Sequence, residues 1–459
     1  MSTNRRDFLK YTAATGMGYW VANRKTWADD VNNKSPNERV NVACVGCGGK
    51  GDSDSSQCGE VANVVALCDT DDGQLQRKGH QFPNARKFND FRKMFDEMGK
   101  EIDGVTVSIA DHNHAVVAMM AIKNGKGVYC QKPLTHYVGE ARKLREAANQ
   151  YKVATQMGNQ GTATNGLREG VEAIQAGAIG AVKEMHVWTN RPIWPQAPKI
   201  LDRPMRVEDV PENLHWDEWI GPAPFRPYNH LYQPFTWRGW WDFGTGALGD
   251  MGCHTANLPF MALRLQEVFP TSVKAESGIV NPETYPSWAT AEYEFPARGD
   301  MPPVKAFWYE GQKEVEGRRV KNLPPAELFH GEQPPGSGSL MVGEKGVLYS
   351  PDDYGANWVL LPQGNFADFK KPEPRLPRTE GDNDTWMKRE WVGAIKGGPP
   401  GMSNFNYSAK LTEFILLGNV AIRAGVQHPL EWDGENMKVT NWPEANAFLM
   451  REYRKGYSL

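Results

Sequence analysis

The segment Arg39-Val-Asn-Val-Ala-Cys-Val45, followed directly by Gly46-Cys-Gly48-Gly-Lys-Gly51, decides the fold of this chain. An apolar strand that runs into Gly-x-Gly-x-x-Gly lets the backbone turn tightly and approach a pyrophosphate at the start of the next helix. A second apolar strand, residues 61–67, leads to Asp69, whose carboxylate is placed to hold the ribose hydroxyls of an adenosine. This pattern predicts a dinucleotide-binding domain. The cofactor contacts predicted from the turn and the acid are Gly46, Cys47, Gly48, Gly49, Gly51 and Asp69.

The residues after Asp69 bear on which dinucleotide fits. They read Thr70-Asp71-Asp72 and contain no arginine that could pair with a 2′-phosphate, whereas the Asp69 carboxylate would repel one. The sequence therefore predicts NAD as the cofactor, with NADP less favoured.

Composition excludes several classes of partner and site. The chain has 459 residues and a formal net charge of −3, and its lysines and arginines are scattered, so it lacks the basic patch that nucleic acid binding needs. Six cysteines are too few and too clustered for a disulfide framework. Cys44 falls within a predicted strand and Cys47 within the glycine turn, which argues against a redox pair. We also expect no metal, because no second Cys or His pair has the spacing of zinc ligands.

The N-terminus resembles a twin-arginine export signal. Asn4-Arg5-Arg6-Asp7-Phe8-Leu9-Lys10 precedes a mildly apolar stretch, residues 11–22, that is too short and too rich in Gly and Thr to span a bilayer. We expect residues 1–36 to be this signal and a linker, with an amphipathic or disordered tail as the alternative. The expected location is the periplasm, reached in the folded state, without a stable membrane span.

From residue 39 to about 160, short apolar strands alternate with helical stretches, which is typical of a doubly wound parallel sheet. After Gly161 come a helix, a strand, a long segment rich in Pro and Trp (residues 191–233) and several strands that suit an antiparallel sheet. The expected class is α/β: an NAD-binding Rossmann domain over 37–160, then a substrate-binding and oligomerisation α+β domain over 161–459 with a mostly antiparallel, open-faced sheet. An open face needs covering, which favours a homodimer or homotetramer.

The element boundaries follow from apolar periodicity and turn residues. The predicted strands are 40–45, 61–67, 104–109, 127–129, 153–157, 182–189, 273–280, 289–295, 304–309, 339–342 and 347–350. The predicted helices are 115–124, 138–151, 166–176, 385–396 and 408–424, and residues 311–338 and 362–384 are expected to be surface loops.

Two clusters lie at the predicted sheet edge where open α/β sheets bind ligands. The third strand ends in Ser108-Ile-Ala110-Asp-His112-Asn-His114, and we expect Ala110 and His114 to lie beside the nicotinamide. The alternative, a metal pair of His112 and His114, is weak because two histidines rarely suffice. The fourth strand is followed by Gln131-Lys132-Pro133, where proline stiffens the turn and holds Lys132 at the same crevice, with a solvated surface lysine as the alternative.

A third cluster is Gly244-Thr-Gly246-Ala-Leu-Gly249-Asp250-Met-Gly-Cys-His254. Asp250 and His254 are four residues apart, so on a helix they share one face. Histidine can accept a proton from an alcohol near neutral pH, and a nearby carboxylate can orient its ring. The alternative is a helix-capping Asp with a structural His.

These motifs together resemble the Gfo/Idh/MocA family of sugar and polyol oxidoreductases, over most of the chain from about residue 40. The resemblance rests on the glycine turn, on Asp69, on Lys132-Pro133 and on Asp250-x-x-x-His254. The chain departs from the family pattern at Gln131, where the family has Glu, and at Ala110, where Pro is usual.

The resemblance implies roles for individual residues. Lys132 would contact the reacting hydroxyl, Asp250 would orient the substrate and His254 would act as acid and base. The cofactor contacts extend to Ala110, His114, Gln131 and Lys132. The substrate contacts are expected to be Lys132, Asn159, Arg191, Trp241, Asp250 and His254.

Three functions remain open at the level of sequence. The first is NAD-dependent hydride transfer between nicotinamide and a sugar, sugar acid or polyol. The second is NAD-dependent glycoside hydrolysis by transient oxidation, elimination, hydration and re-reduction, which consumes no cofactor. The third is sugar binding without chemistry, against which the presence of Lys132, Asp250 and His254 together argues. Free NAD would not refill an exported enzyme, so the first two both call for a tightly retained cofactor.

Overall fold

The first sheet is wholly parallel, with strand order β3-β2-β1-β4-β5-β6. The computed structural model describes residues 39–459, so the predicted export signal lies outside the described residues. The strands are β1 Asn41–Val45, β2 Asn63–Cys68, β3 Arg86–Phe88, β4 Gly104–Val107, β5 Gly127–Cys130 and β6 Thr155–Met157. Every residue of β4 and β5 is buried, as in parallel sheets covered by helices on both faces. The chain reverses its winding between β1 and β4, which opens a crevice at the carboxyl ends of these two strands.

Helices connect these strands: α1 Lys50–Val61, α2 Asp72–Gln81, α3 Phe91–Met98, α4 Asp111–Lys123 and α5 Val138–Tyr151. Helices α2 and α3 each begin after an aspartate N-cap, whose carboxylate accepts hydrogen bonds from backbone amides that have no partner within the helix. Asp71 accepts from the Gly73 amide at 2.8 Å, and Asp90 accepts from the Arg92 amide at 2.9 Å.

The second sheet has ten strands in the order β14-β13-β12-β7-β10-β9-β8-β15-β16, with β11 paired to β10. They are β7 Val182–Thr189, β8 Ser272–Ser277, β9 Trp288–Phe295, β10 Val304–Val315, β11 Arg318–Lys321, β12 Ser337–Gly343, β13 Val347–Ser350, β14 Val359–Leu361, β15 Leu430–Asp433 and β16 Lys438–Val439. In this described sheet only β7 and β10 pair in parallel. The predicted α/β class with a mostly antiparallel second sheet is therefore confirmed.

The remaining helices are α6 Asn165–Gln175, α7 Trp216–Ile220, α8 Gly246–Thr255, α9 Asn257–Ala262, α10 Asn383–Ile395 and α11 Phe405–Ala424. Single 3-10 turns occur at Gln160–Ala163, Thr236–Gly239, Leu265–Glu267, Ala326–Phe329, Gln363–Phe366 and Pro443–Phe448. One face of the second sheet packs on α11, where the ring of Phe414 meets that of Tyr293 at 4.5 Å between centroids. The other face carries polar pairs such as Lys305–Glu292 (3.1 Å).

Helix α10 comes from the last fifth of the chain but packs on the first sheet. Trp386, Met387 and Trp391 are buried in one cluster with residues of β1, β2 and β5. The Trp391 ring meets the ring of Tyr129 edge-on, with 5.8 Å between centroids. The predicted division at residue 160 separates the two sheets, but the first sheet is completed by a helix from beyond it.

Most predicted elements form within a few residues of their predicted bounds, and the exceptions have physical causes. Strand β3 has only three residues, two of them exposed, so it lacks an apolar signal. Strands β10 and β11 form a hairpin within the region predicted as loop, around Glu316 and Gly317, which both have positive φ as two-residue hairpin turns require. In the described part of the chain, no helix is both long enough and apolar enough to cross a membrane.

Candidate active site

A cavity of about 610 Å³ opens at the carboxyl ends of the first sheet and reaches helix α8 of the second domain. The predicted residues that line it are Gly46, Gly48, Gly49, Asp69, Ala110, Gln131, Lys132, Asp250 and His254. The fold thus brings the glycine turn, the acid after β2 and the three predicted catalytic side chains to one crevice.

The glycine turn has the shape that a pyrophosphate needs. A side chain at Gly46, which has φ of 95°, would place its Cβ 2.1 Å from the Ser108 carbonyl oxygen, so only glycine fits there. A Cβ on Gly49 would meet no atom within 4 Å, so the backbone there is open toward a ligand. Helix α1 has no side-chain cap, which leaves amide hydrogens at its N-terminus for an anion. The turn fits a dinucleotide pyrophosphate.

The adenosine end of the cavity is anionic. The Asp69 carboxylate accepts hydrogen bonds from the amides of Cys47 (2.6 Å) and Asp71 (2.9 Å). Burial raises the pKa of Asp69. Asp71 and Asp90 also line this end, and Arg238, in the second domain, is the one arginine on the described lining. The described lining at this end offers carboxylate acceptors to ribose hydroxyls and carries no arginine, while Arg77 and Arg92 beside it pair with Asp52 and Asp90.

Gln131 lies under the turn within a buried charge network. Its Nε2 donates to Asp54 Oδ2 at 2.8 Å, and Ser108 Oγ donates to the same oxygen at 2.7 Å. Lys388 of α10 donates to Asp54 Oδ1 at 2.6 Å, with both side chains fully buried. Although burial alone would raise it, Lys388 and Lys50 hold the pKa of Asp54 below its usual value. The negative charge beside residue 131 is thus carried by Asp54 on α1.

Lys132 is fixed by Asp250. Its Nζ donates to the Asp250 carbonyl oxygen at 2.6 Å and to Asp250 Oδ1 at 3.1 Å. Arg238 Nε donates to the same Oδ1 at 3.3 Å. Burial would raise the pKa of Asp250, but the two cations outweigh it and hold that pKa low. The surface-lysine alternative for Lys132 does not hold, since its side chain is 17% exposed and ion-paired.

His254 lies one helical turn after Asp250 and lines the same cavity, so the two share a face of α8 as predicted. Its ring meets that of Tyr354 edge-on, with 5.0 Å between centroids, and its Nδ1 is buried without a partner among the described residues. Burial and, secondly, Lys132 hold the pKa of His254 well below its usual value, so the imidazole is neutral at neutral pH. The Asp250 carboxylate bonds to Lys132 and Arg238 and makes no hydrogen bond to His254, which corrects the expectation that it orients the ring.

A short stretch of the Pro- and Trp-rich region, here called the cover segment (residues 211–219), folds over the adenosine end. Its backbone pairs with the loop after β2: the His215 amide donates to the Thr70 carbonyl at 2.8 Å and the Asp72 amide to the Asn213 carbonyl at 2.9 Å. Asn213 Nδ2 donates to Asp71 Oδ1 at 2.8 Å. Within the segment, the side chains that line the cavity are Leu214, Glu218 and Trp219.

The far end of the cover segment is held by the start of α4. Asn113 Nδ2 donates to the Trp219 carbonyl oxygen at 2.9 Å. Both ring nitrogens of His112 face backbone carbonyl oxygens, Nε2 that of Trp219 at 2.9 Å and Nδ1 that of Phe243 at 3.2 Å. Burial lowers the pKa of His112 to about 3. His112 is a structural residue of the cover, and the metal-pair alternative fails.

Three predicted substrate contacts do not reach this cavity. Asn159 is fully buried and accepts from Ser403 Oγ. Arg191 bonds to its neighbour Asn190 on the surface. Trp241 stacks on Tyr285 at 3.7 Å and donates to the Asn281 carbonyl oxygen. The structure therefore does not bring these three side chains together with Lys132, Asp250 and His254 on the lining of the cavity.

Three predicted cofactor contacts have other roles. His114 is buried and donates from Nδ1 to the Pro133 carbonyl oxygen at 2.8 Å, so it braces the lysine turn and does not line the cavity. The Cys47 side chain is buried beneath the turn. A Cβ on Gly51 would lie 2.4 Å from the Gly46 carbonyl oxygen, so this glycine allows close packing of α1 on the turn.

Sequence reasoning missed several lining residues. Trp237 and Arg238 precede the glycine-rich segment of α8, and an arginine between aromatic residues near Asp250 was a usable signal. Tyr354 and Gln160 come from loops and are brought to the cavity only by the tertiary fold. The Tyr354 loop is fixed by Asp352, which accepts from the amides of Tyr354 (2.8 Å) and Asn357 (2.7 Å).

Comparison with known protein families agrees with this geometry. Residues 40–159 match the NAD-binding Rossmann fold of the GFO_IDH_MocA oxidoreductase family, and residues 199–300 match the C-terminal alpha/beta domain of the same family. The chain belongs to the Gfo/Idh/MocA oxidoreductase family. The resemblance drawn from the motifs is thereby confirmed, and the two matched regions supply both walls of the cavity.

Individual relatives of this Gfo/Idh/MocA chain are distant. Inositol 2-dehydrogenase of Salmonella paratyphi B is 27% identical over 125 residues, which are 27% of this chain and 37% of that enzyme. The chain therefore aligns with little more than a third of that enzyme.

Solved structures that share the fold include two complexes with small molecules. The WlbA dehydrogenase of Bordetella pertussis, in complex with NADH and UDP-GlcNAcA, has a TM-score of 0.57 at 16% identity, covering 86% of this chain and 100% of that one. The aldose-aldose oxidoreductase of Caulobacter crescentus, complexed with glycerol, has a TM-score of 0.55 at 14% identity with the same coverages.

Proposed function

We propose that this protein is an NAD-dependent oxidoreductase that transfers a hydride between nicotinamide and a CH–OH group of a sugar, sugar acid or polyol. The observation that carries the proposal is the convergence of Lys132, Asp250 and His254 on a cavity continuous with the glycine turn. The curated relatives include inositol 2-dehydrogenases, whose name fits this class of substrate. When NAD is bound, it supplies the hydride acceptor.

The residues around the reacting hydroxyl have complementary tasks. His254 is held neutral by burial and by Lys132, so its imidazole can accept the proton released when a carbinol becomes a carbonyl. The Lys132 ammonium polarises the same oxygen, and its position is fixed by Asp250. The rings of Trp237 and Tyr354 line the wall of the cavity beside these groups.

The anionic lining near Asp69 supports NAD over NADP. The cover segment supports tight retention of the nucleotide, because four hydrogen bonds described above fix residues 211–219 across the adenosine end. A retained cofactor also suits the periplasmic location that the N-terminal motif suggests, where free NAD is scarce. For the assembly, a homodimer or homotetramer would cover the outer face of the second sheet, where the rings of His186 and Phe307 stack at 4.7 Å.

His254→Ala is the test of the proposed chemistry. Because the general base is lost, we expect the rate of reduction of bound nicotinamide to fall by about 100- to 10,000-fold, while nucleotide content and folding stay unchanged. The measurement is the absorbance of reduced nicotinamide after mixing the nucleotide-loaded protein with sugars and polyols. Exposed His428→Ala is the matched control. Unchanged turnover in the His254 variant would refute its role as the base, whereas a wild-type protein that reduces no nicotinamide with any of these compounds would favour a non-catalytic sugar-binding protein.

The cover segment favours a second candidate as well, an NAD-dependent glycosidase. A cofactor that stays bound suits a cycle in which it is reduced and reoxidised in place. Oxidation of a sugar hydroxyl, elimination of the aglycone, hydration and re-reduction would give net hydrolysis. Cleavage of a chromogenic glycoside by the nucleotide-loaded protein, with no net reduced nicotinamide, would select this candidate over net oxidation.

A further inference from the structure

A guanidinium that belongs to none of the recognised motifs lies at the substrate end of the cavity. Arg238 sits in the 3-10 turn Thr236–Gly239 and lines the cavity beside Asp250. Its Nε donates to Asp250 Oδ1 at 3.3 Å, and its Nη1 donates to the Phe235 carbonyl oxygen at 3.3 Å. Both are long for charged hydrogen bonds. Its Nη2 has no partner among the described residues, so donors remain for a ligand.

Aromatic rings fix this side chain from its faces. The Arg238 guanidinium carbon lies 4.2 Å from the centroid of Trp237 and 4.7 Å from that of Phe235, which are stacking distances for a cation on an aromatic ring. Its side chain is 24% exposed. A guanidinium held by its faces keeps its edge free, and that edge is the part that pairs with a planar anion.

The charge around this edge is positive. Lys132 and Arg238 donate to the same oxygen of Asp250, so two cations share one carboxylate. Lys50, the third cation on this wall, is paired with Asp384 at 2.6 Å. Asp111 lies deeper, accepts from Thr245 Oγ1 at 2.6 Å, and has a pKa that burial raises. One further negative charge is therefore favourable at Arg238.

We propose that Arg238 anchors an anion subsite and that the substrate is a sugar acid, a uronate or an aldonate. Its carboxylate pairs with the Nη1–Nη2 edge of Arg238, while its reacting hydroxyl lies at Lys132 and His254. The proposal rests on the oxidoreductase function above and narrows its substrate class. A carboxylate fits better than a phosphate ester because its single negative charge is balanced by one guanidinium, and Arg238 is the one arginine on the described lining.

The test compares acids with their neutral partners. Nucleotide-loaded protein is mixed with hexuronates, aldonates, the matching aldoses and hexose phosphates of the gluco, galacto and manno series, and reduction of nicotinamide is followed. We expect kcat/KM for the best acid to exceed that for its aldose by about 30-fold or more, the size of a lost charge-assisted pair. Arg238→Met should abolish this preference mainly through KM, and Arg238→Lys should restore part of it.

Arg203→Met is the matched control, since Arg203 is half exposed, pairs with Glu283 at 2.7 Å and does not line the cavity. It should leave the acid preference unchanged. The subsite is refuted if the wild-type protein prefers neutral sugars or hexose phosphates, or if Arg238→Met lowers kcat/KM equally for acids and aldoses.

Calorimetric titration with the same acids distinguishes failure of the anion subsite from failure of the oxidoreductase function. Binding that depends on Arg238 without any nicotinamide reduction refutes the oxidoreductase function alone, whereas turnover of neutral sugars that ignores Arg238 refutes the subsite alone.

Discussion

Single residues in this protein depart from the family pattern where a neighbour compensates. Gln131 stands in place of the family's Glu because its amide must donate to the buried Asp54. A carboxylate at residue 131 would face another carboxylate at hydrogen-bond distance, and neither group could donate at neutral pH. The substitution is thus explained by a residue 77 positions earlier in the chain.

Gln131→Glu should therefore lower the free energy of unfolding by about 3 kcal/mol at neutral pH, as breaking a buried charge arrangement does. Denaturant unfolding measures it, with the exposed Gln312→Glu as a control for the same chemical change. Adding Asp54→Asn to Gln131→Glu should recover part of the loss, since an amide again faces a carboxylate, although Lys388 then loses the charge of Asp54. Equal stability of the single variant and the wild-type protein would contradict this account.

The sequence alone predicts a site residue when that residue directly follows a strand or shares a helix face with another site residue. The glycine turn, Asp69, Lys132 and the Asp250–His254 pair each follow a strand or share a helix face, and all line the cavity. Asn159 and Trp241 do not line the cavity because their side chains bond to segments distant in sequence, and Arg191 bonds to its neighbour Asn190 on the surface. Tyr354 was missed because its loop reaches the cavity only through tertiary packing, whereas Arg238, beside Trp237 and near Asp250, carried a usable signal.

At the level of elements, apolar periodicity predicted most of the longer strands and helices that have a buried face, but not the shorter α2, α3 and α9 or the short strands β14 and β15. It failed for β3 and for the β10–β11 hairpin, whose residues are mostly exposed and polar. It could not predict the cover segment, because backbone pairing between residues 70–72 and 213–215 leaves no periodic trace. That segment nevertheless shapes the adenosine end of the site.

Loosening the cover segment should speed the release of nucleotide. The double variant Asn213→Ala/His215→Ala removes the side-chain bonds to Asp71 and Asp72 but keeps the backbone pairing, so we expect about a five-fold faster dissociation of NAD. A chase experiment with labelled nucleotide measures this rate. Glu208→Ala, which breaks an exposed pair with His230 elsewhere in the same region, serves as the comparison. Identical dissociation rates in all three proteins would show that the segment does not retain the nucleotide.

For the molecule as a whole, buried ionisable groups set the pH range of stability. Burial lowers the pKa values of His112, His136 and His254, so stability is lost as pH falls below about 6.5, where the unfolded chain takes up these protons. Glu310 acts in the opposite direction. Burial raises its pKa to about 8, so the folded protein keeps a proton that the unfolded chain releases above about pH 4.5.

Glu310→Gln should therefore stabilise the protein increasingly as pH rises. With about 1.4 kcal/mol per pKa unit, the wild-type side chain costs roughly 3 kcal/mol at pH 7 relative to pH 4.5, and a glutamine does not titrate. Unfolding free energies from pH 5 to pH 8 measure the difference. Glu314→Gln, an exposed change on the same strand, should give a constant offset. Parallel curves for Glu310→Gln and the wild-type protein would contradict the expected pKa.

Helix α10 has a consequence for how the polypeptide is made. Lys388 donates to Asp54 across 334 positions of sequence. While the ribosome is still producing the middle of the chain, Asp54 in the emerging nucleotide-binding domain therefore has its local partner Lys50 but lacks Lys388. That domain reaches its final stability only after nearly the whole polypeptide has left the exit tunnel. Any quality-control step that inspects the loaded nucleotide site would therefore report on completion of translation as well.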